Sequence, residues 1–188
     1  MSVRKILVPL AGREEDAEVL STALSVAGGG RGRGEREERT TKTKQAAMMS
    51  AGRPVLIAPK KAWNPVGGSV CIGWDDSAEA AHAVTAAIPF LEKAKKVTIL
   101  CIGGKELDPG PGSTLADYLE LHGVVADVHL VDAAGRAAGE VLLENAERAK
   151  TDLLVMGGYS HSRLREFIIG GTTQHIRSHA TIPVLMAH

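Results

Sequence analysis

The residues best suited to chemistry lie between 153 and 173, LLVMGGYSHSRLREFIIGGTT. An apolar run leads into Gly157 and Gly158, a polar loop follows, and Gly170-Gly171-Thr172 opens a stretch of helical pattern. Glycines let backbone N–H groups approach a phosphate closely, and a helix N-terminus adds unpaired donors and a positive dipole end. This is the pattern of an anion site. Arg163 and Arg165 in the loop, beside His161 and Ser162, can serve as charged donors to such an anion, and they equally suit a solvated loop. A second candidate is Trp74-Asp75-Asp76-Ser77. A carboxylate at the end of a strand can accept from an amine or a hydroxyl; alternatively Asp75 and Asp76 only cap the next helix.

Other constellations carry less. His175 and His179 stand four apart on one helix face, a spacing found in zinc sites, but no Glu follows His175 in HExxH fashion and no cysteine pair is near. No metal cluster is expected. Ser160 beside His161 lacks the GxSxG elbow of a hydrolase nucleophile, since the local sequence is Gly158-Tyr159-Ser160-His161-Ser162. Cys71 and Cys101 sit inside apolar runs and read as small buried hydrophobes, a usage that suits a reducing compartment.

These residues need strands and helices to position them. Residues 70–74 form a short apolar run followed by an Ala-rich helical stretch to about residue 91. Asp76 or Ser77 is placed to cap it, and Asp76 with Glu79 has capping-box spacing. Residues 96–102 predict a second strand, 103–113 a Gly/Pro-rich loop, and 114–122 a short helix ended by Gly123. A third strand is predicted at 126–131, a helix at 137–149 and a fourth strand at 153–156. A helix at 172–179 and a fifth strand at 182–187 complete the series. The strands read as unbroken apolar runs, the mark of a parallel sheet covered on both faces. The fold class is therefore α/β, a five-stranded doubly wound parallel sheet, with any ligand at the carboxyl ends of its strands near a topological switch point.

Composition agrees. Of 188 residues, 44% are hydrophobic but only 3% aromatic, so the core is built from Val, Leu, Ile and Ala. Lys plus Arg (22) balance Asp plus Glu (22), which gives no field for nucleic acid. No apolar run approaches the length of a membrane span, and the apolar stretch near the N-terminus is too short for a signal core, so no membrane partner is expected and the cytoplasm is the expected location.

Residues before 68 repeat parts of this unit. Residues 53–59 (RPVLIAP) match 182–188 (IPVLMAH), and 5–10 (KILVPL), followed by a turn and a helical stretch, matches 70–74. Between them lies 28–44, GGGRGRGEREERTTKTK, which has no aliphatic or aromatic residue and predicts a solvated linker. The first and fifth strands are thus present twice, while the middle of the first copy is missing. The domains expected are a truncated first repeat at 1–59, a linker at 60–67 and a complete domain at 68–188. The truncated copy cannot close its own sheet and must lean on the second copy, lean on another chain, or remain partly disordered.

The loop residues resemble the Gly-x2-Gly-x9-Gly-Ser/Thr signature of the nucleotide-binding universal stress proteins. Gly157 fills the first position and Gly170 the third, with nine residues before Gly170. Ser160 stands at the second position and Gly171 at the fourth. A Cβ at 160 narrows the phosphate's approach, and at a positive φ it costs about 1 kcal/mol or more. Gly171 lacks a hydroxyl, which Thr172 can supply. The resemblance implies an adenine-nucleotide-hydrolase-like fold of the tandem type and ATP or AMP as ligand. It further implies Mg only with the nucleotide, Asp75 at the adenine or ribose, and a homodimer or pseudo-dimer through fifth strands, here 54–58 and 184–187. Asp75, Gly157, Ser160, Arg163, Gly170, Gly171 and Thr172 are the expected binding residues. The leading function is a non-catalytic stress-response protein. Alternatives are a slow ATPase using the same pocket and an interaction module with a degenerate glycine loop.

Overall fold

The computed structural model describes residues 54–59, 66–103, 110–158 and 171–188, and the backbone of 7–9. In chain order the elements are β1 (Leu7–Pro9), β2 (Val55–Ile57), β3 (Ser69–Trp74), α1 (Ala78–Leu91), β4 (Lys96–Gly103), α2 (Gly110–Glu120), β5 (Ala126–Asp132), α3 (Ala138–Arg148), β6 (Leu153–Gly157), α4 (Gly171–His179) and β7 (Val184–Ala187). They form a seven-stranded sheet in the order β1-β2-β7-β6-β3-β4-β5. The five strands of 68–188 are parallel, as expected. From β3 the chain winds outward through β4 and β5, then crosses back to β6 and β7. The winding reverses between β3 and β6, which makes their carboxyl ends the switch point.

The carboxylate of Asp152 sets that pair of strands. It accepts from the backbone N–H groups of Gly67 (2.8 Å), Gly68 (3.1 Å) and Ser69 (3.1 Å), while its own N–H donates to the Ser69 carbonyl at 2.8 Å. The start of β3 is thereby tied to the start of β6, and the ladder runs on to Gly73 opposite Met156.

Helices cover both faces. One cluster joins Ala83, Val84, Phe90 and Leu91 of α1 and Leu115 and Leu119 of α2 to Ile72, Ile99, Val155 and Leu185. The other joins Leu142, Leu143 and Ala146 of α3 and Ile176 of α4 to Cys71, Leu154, Val184 and Met186. Among the described residues no helix is long and apolar enough to cross a membrane. On the exposed side of α3, Arg136 binds Glu140 and Glu144, and Arg148 also binds Glu144. Such solvated pairs add little to stability.

Three expectations need correction. The cap of α1 is Ser77, not Asp76: Ser77 is extended (φ −85°, ψ 156°) and its hydroxyl accepts from Ala80 N–H at 3.1 Å. Asp76 is in the left-handed region (φ 58°) and Glu79 lies one position too early for a capping box. Helix α2 starts at Gly110 rather than 114. Pro111 fits a first turn because its missing N–H needs no partner there. Gly112 packs so tightly that a Cβ would lie 2.8 Å from Val128 Cγ1 and 2.9 Å from Cys101 Sγ. Strand β5 is not covered on both faces; Asp127, His129 and Asp132 are exposed because it is an edge strand. The fifth-strand partners expected at 54–58 and 184–187 do pair, within one chain, as β2 against β7.

That pairing is antiparallel and symmetric: Val55 faces Met186, Leu56 faces Leu185 and Ile57 faces Val184. Aligning the repeats matches Val55 with Val184, Leu56 with Leu185 and Ile57 with Met186, so each residue faces the counterpart of its mirror position. The centre of the ladder is a local pseudo-twofold. Leu56, with no exposed surface, joins the first cluster, while Val55 and Ile57 join the second. β1 then pairs antiparallel with β2, Leu7 opposite Ile57 and Pro9 opposite Val55. Thus the N-terminal strands lean on the complete unit.

Two predictions follow from this packing. Leu56→Ala should lower unfolding stability by about 2–5 kcal/mol, read by urea denaturation, because it leaves a cavity in the shared core. Burial pushes the Cys71 thiol up from 9.0 to about 12. The folded chain keeps this proton while the unfolded chain loses it, so the stabilisation is complete below pH 9 and falls as pH rises toward about 12. Denaturation across that range should show the slope in the native protein and a shallower one in Cys71→Ala, where the Cys101 thiol, also raised by burial, still contributes.

Candidate functional site

The carboxyl ends of β3 and β6 bring the first two candidates together through the start of α1. Asp75 follows β3. Its Oδ1 accepts from the Ser77 hydroxyl at 2.6 Å and from Ser77 N–H at 3.3 Å. Ser77 Oγ in turn accepts from Ala80 N–H. Gly157 ends β6 directly against the same turn: a Cβ on it would lie 2.6 Å from Ala80 N and 2.9 Å from Glu79 C. Asp75 is therefore neither a simple cap nor a detached ligand. It orients the residue that caps, is exposed, and has no partner for Oδ2 among the described residues.

Gly157 has a role the sequence pattern did not reveal. Its missing side chain lets β6 meet α1. Gly158 is confined similarly, with Met186 Sδ where its Cβ would be, and its N–H donates to the Ala187 carbonyl at 2.8 Å.

Gly171 and Thr172 open α4 on the opposite face of the sheet. The first turns of α3 and α4 touch: a Cβ on Gly139 would lie 3.0 Å from the Thr172 carbonyl oxygen. Gly171 is exposed, and among the described residues nothing lies within 4 Å of its Cβ direction. Ser160, Arg163 and Gly170, with Arg165, lie outside the described residues.

Two further groups stand at this edge. Glu79 is 6% exposed in the first turn of α1. The Trp74 indole N–H is buried and has no hydrogen-bond partner among the described residues. Sequence reasoning gave Glu79 only a capping role and Trp74 none. A polar indole one residue before Asp75 was the available signal. His175 and His179 stack, with ring centroids 4.2 Å apart, and His179 Nδ1 lies 3.0 Å from the His175 carbonyl oxygen.

The described arrangement sets the Asp75 carboxylate after β3 and the N-terminus of α4 after β6, on opposite faces of the sheet. The glycine contacts yield a test. Gly157→Ala should destabilise the fold by about 1–3 kcal/mol because its methyl meets backbone. Gly171→Ala should stay within about 0.5 kcal/mol of the native protein in the same thermal or urea titration.

Known proteins share this architecture. Universal stress protein Slr1230 from Synechocystis sp. is 29% identical over 146 residues, covering 73% of this chain and 48% of the relative. A universal stress protein structure from Archaeoglobus fulgidus aligns with a TM-score of 0.64 at 16% identity, over 77% of this chain and 54% of the other. The structure of a universal stress protein in complex with cAMP aligns with a TM-score of 0.53 at 23% identity, over 64% of this chain and 95% of the other. The chain thus spans about half the length of the first two relatives. The sequence profile of the universal stress protein family matches residues 68–188, and the chain belongs to that family.

Proposed function

We propose that this chain is a non-catalytic stress-response protein of the cytoplasm that binds an adenine nucleotide, ATP or AMP, at the carboxyl edge of its complete domain, and acts through protein contacts that include dimerisation. The observation that carries this reading is the meeting of Asp75 and Gly157 at the first turn of α1, on the switch point of a doubly wound sheet. Asp75 Oδ2 suits an adenine amine or a ribose hydroxyl. The start of α4, with Gly171 and Thr172, suits a phosphate, joined by Ser160, Arg163 and Gly170. Mg accompanies the nucleotide only. A related structure holding cAMP supports the adenine class. The buried thiols of Cys71 and Cys101 support a reducing compartment.

We also propose that residues 1–59 are a shortened first repeat of a tandem protein, joined by 60–67 to the domain at 68–188. The mirror register of β2 and β7 supports this, since repeated sequences pair as two subunits of a dimer would. The coverages agree in direction: the compact cAMP-bound relative matches 64% of this chain, and the longer Archaeoglobus protein 77%.

Calorimetric titration with ATP and AMP tests the nucleotide reading. Asp75→Ala should weaken binding by roughly tenfold, the loss of one or two hydrogen bonds to a charged acceptor. Arg163→Ala should weaken ATP more than adenosine. Gly157→Val is a poor control, because it disturbs the fold. No heat at millimolar nucleotide would overturn the reading and favour an interaction module. Phosphate release above background, lost in Asp75→Ala, would favour an ATPase.

A further inference from the structure

Among the described residues the sheet has one long edge without a partner strand. β7 is closed by β2, but β5 ends the sheet on its other side with seven residues, Ala126–Asp132. Apolar groups around it lie in water: Val125 is 86% exposed and Leu130 36%. Exposed edges are pairing templates, and this one carries no proline and no lysine to blunt it.

We propose that β5 pairs antiparallel with β5 of a second copy of this chain, about a twofold axis at Val128. The argument is register. An axis perpendicular to the sheet keeps each residue on its own face, so a continuous ladder needs a residue at its centre. Ala126 and Val128 pack toward α1 and α2, and Val131 toward the other core. With Val128 at the centre, Ala126 faces Leu130 of the second copy and Val128 faces its counterpart, an apolar centre to a row that ends with Asp132 opposite Val124. On the other face Val125 opposes Val131, and Asp127 opposes His129, each twice by symmetry. Both exposed apolar residues are covered, and each Asp127 carboxylate meets an imidazole. Moving the centre by one residue weakens this match. At Asp127 the two carboxylates meet and Val125 faces His129; at His129 both aspartates face apolar residues, Val131 and Ala126, whereas with Val128 at the centre only Asp132 does, opposite Val124. The fit selects a second copy over an unrelated strand, because the segment complements itself. This edge is separate from the nucleotide site, so the nucleotide reading stands or falls independently of it, while the dimerisation in the proposed function rests on this pairing.

The test is sedimentation velocity of the full chain over a range of concentrations, with Asp127→His, His129→Asp and the double exchange Asp127→His/His129→Asp. These side chains are exposed, so circular dichroism should be unchanged in all three. The native chain should dimerise. Each single change replaces both opposite pairs with like ones and should weaken the dimer by about tenfold or more. The double exchange should restore it. A native chain that stays monomeric throughout, a dimer indifferent to His129→Asp, or a double exchange no better than the singles would overturn the proposal.

Discussion

Gly157 meets the backbone of Glu79 and Ala80 with no room for a β-carbon between them. This approach brings the end of a central strand onto the first turn of α1, and the rest of the carboxyl edge is arranged around it. Ser77 caps that turn, Asp75 holds Ser77, and Asp152 holds the opposite ends of the same two strands. A larger residue at 157 would separate β6 from α1 and with it the two halves of the site. The glycine is needed for the fold before it is needed for any ligand.

The other edge is governed by complementarity between two segments of similar sequence, 53–59 and 182–188. β2 contributes only three residues, yet it feeds both cores, because alternate side chains of a strand face opposite sides. Leu56 and Leu185 meet at the centre of the ladder. One chain thereby satisfies an edge that would otherwise be open, while β5 stays exposed at the far side of the sheet. The two edges differ, one closed within the chain by β2 and the other ending at β5.

Much of the fold was legible because its elements are strongly bounded. The parallel strands were found by short apolar runs between glycines and helical patterns, and the β2–β7 partnership by the shared PVL core of 54–56 and 183–185. Local chemistry was less legible. Asp76 and Ser77 are both good caps, and only the backbone conformation decides for Ser77. Gly110-Pro111-Gly112 reads as a loop, but Pro111 suits a first turn and Gly112 admits Val128 and Cys101. ADVHLVD looked like a buried run although it lies at an edge, because sheet order is a long-range property. At the site, the positions of Asp75 and Gly157 were legible, but the packing role of Gly157 was not, since a glycine's spacing does not say whether backbone or ligand occupies its empty side. The burial of Glu79 likewise depends on β6, far away in sequence.

The central claim is that nucleotide lies across the ends of β3 and β6, between Asp75 and the start of α4. Amide chemical-shift mapping during AMP and ATP titration tests it most directly. The account predicts saturable shifts at Asp75, Ser77, Gly157, Gly171 and Thr172, with the last two moving more for ATP, and little change along β2 or β5. Saturable shifts confined to another region, or none at these amides under millimolar nucleotide, would contradict it.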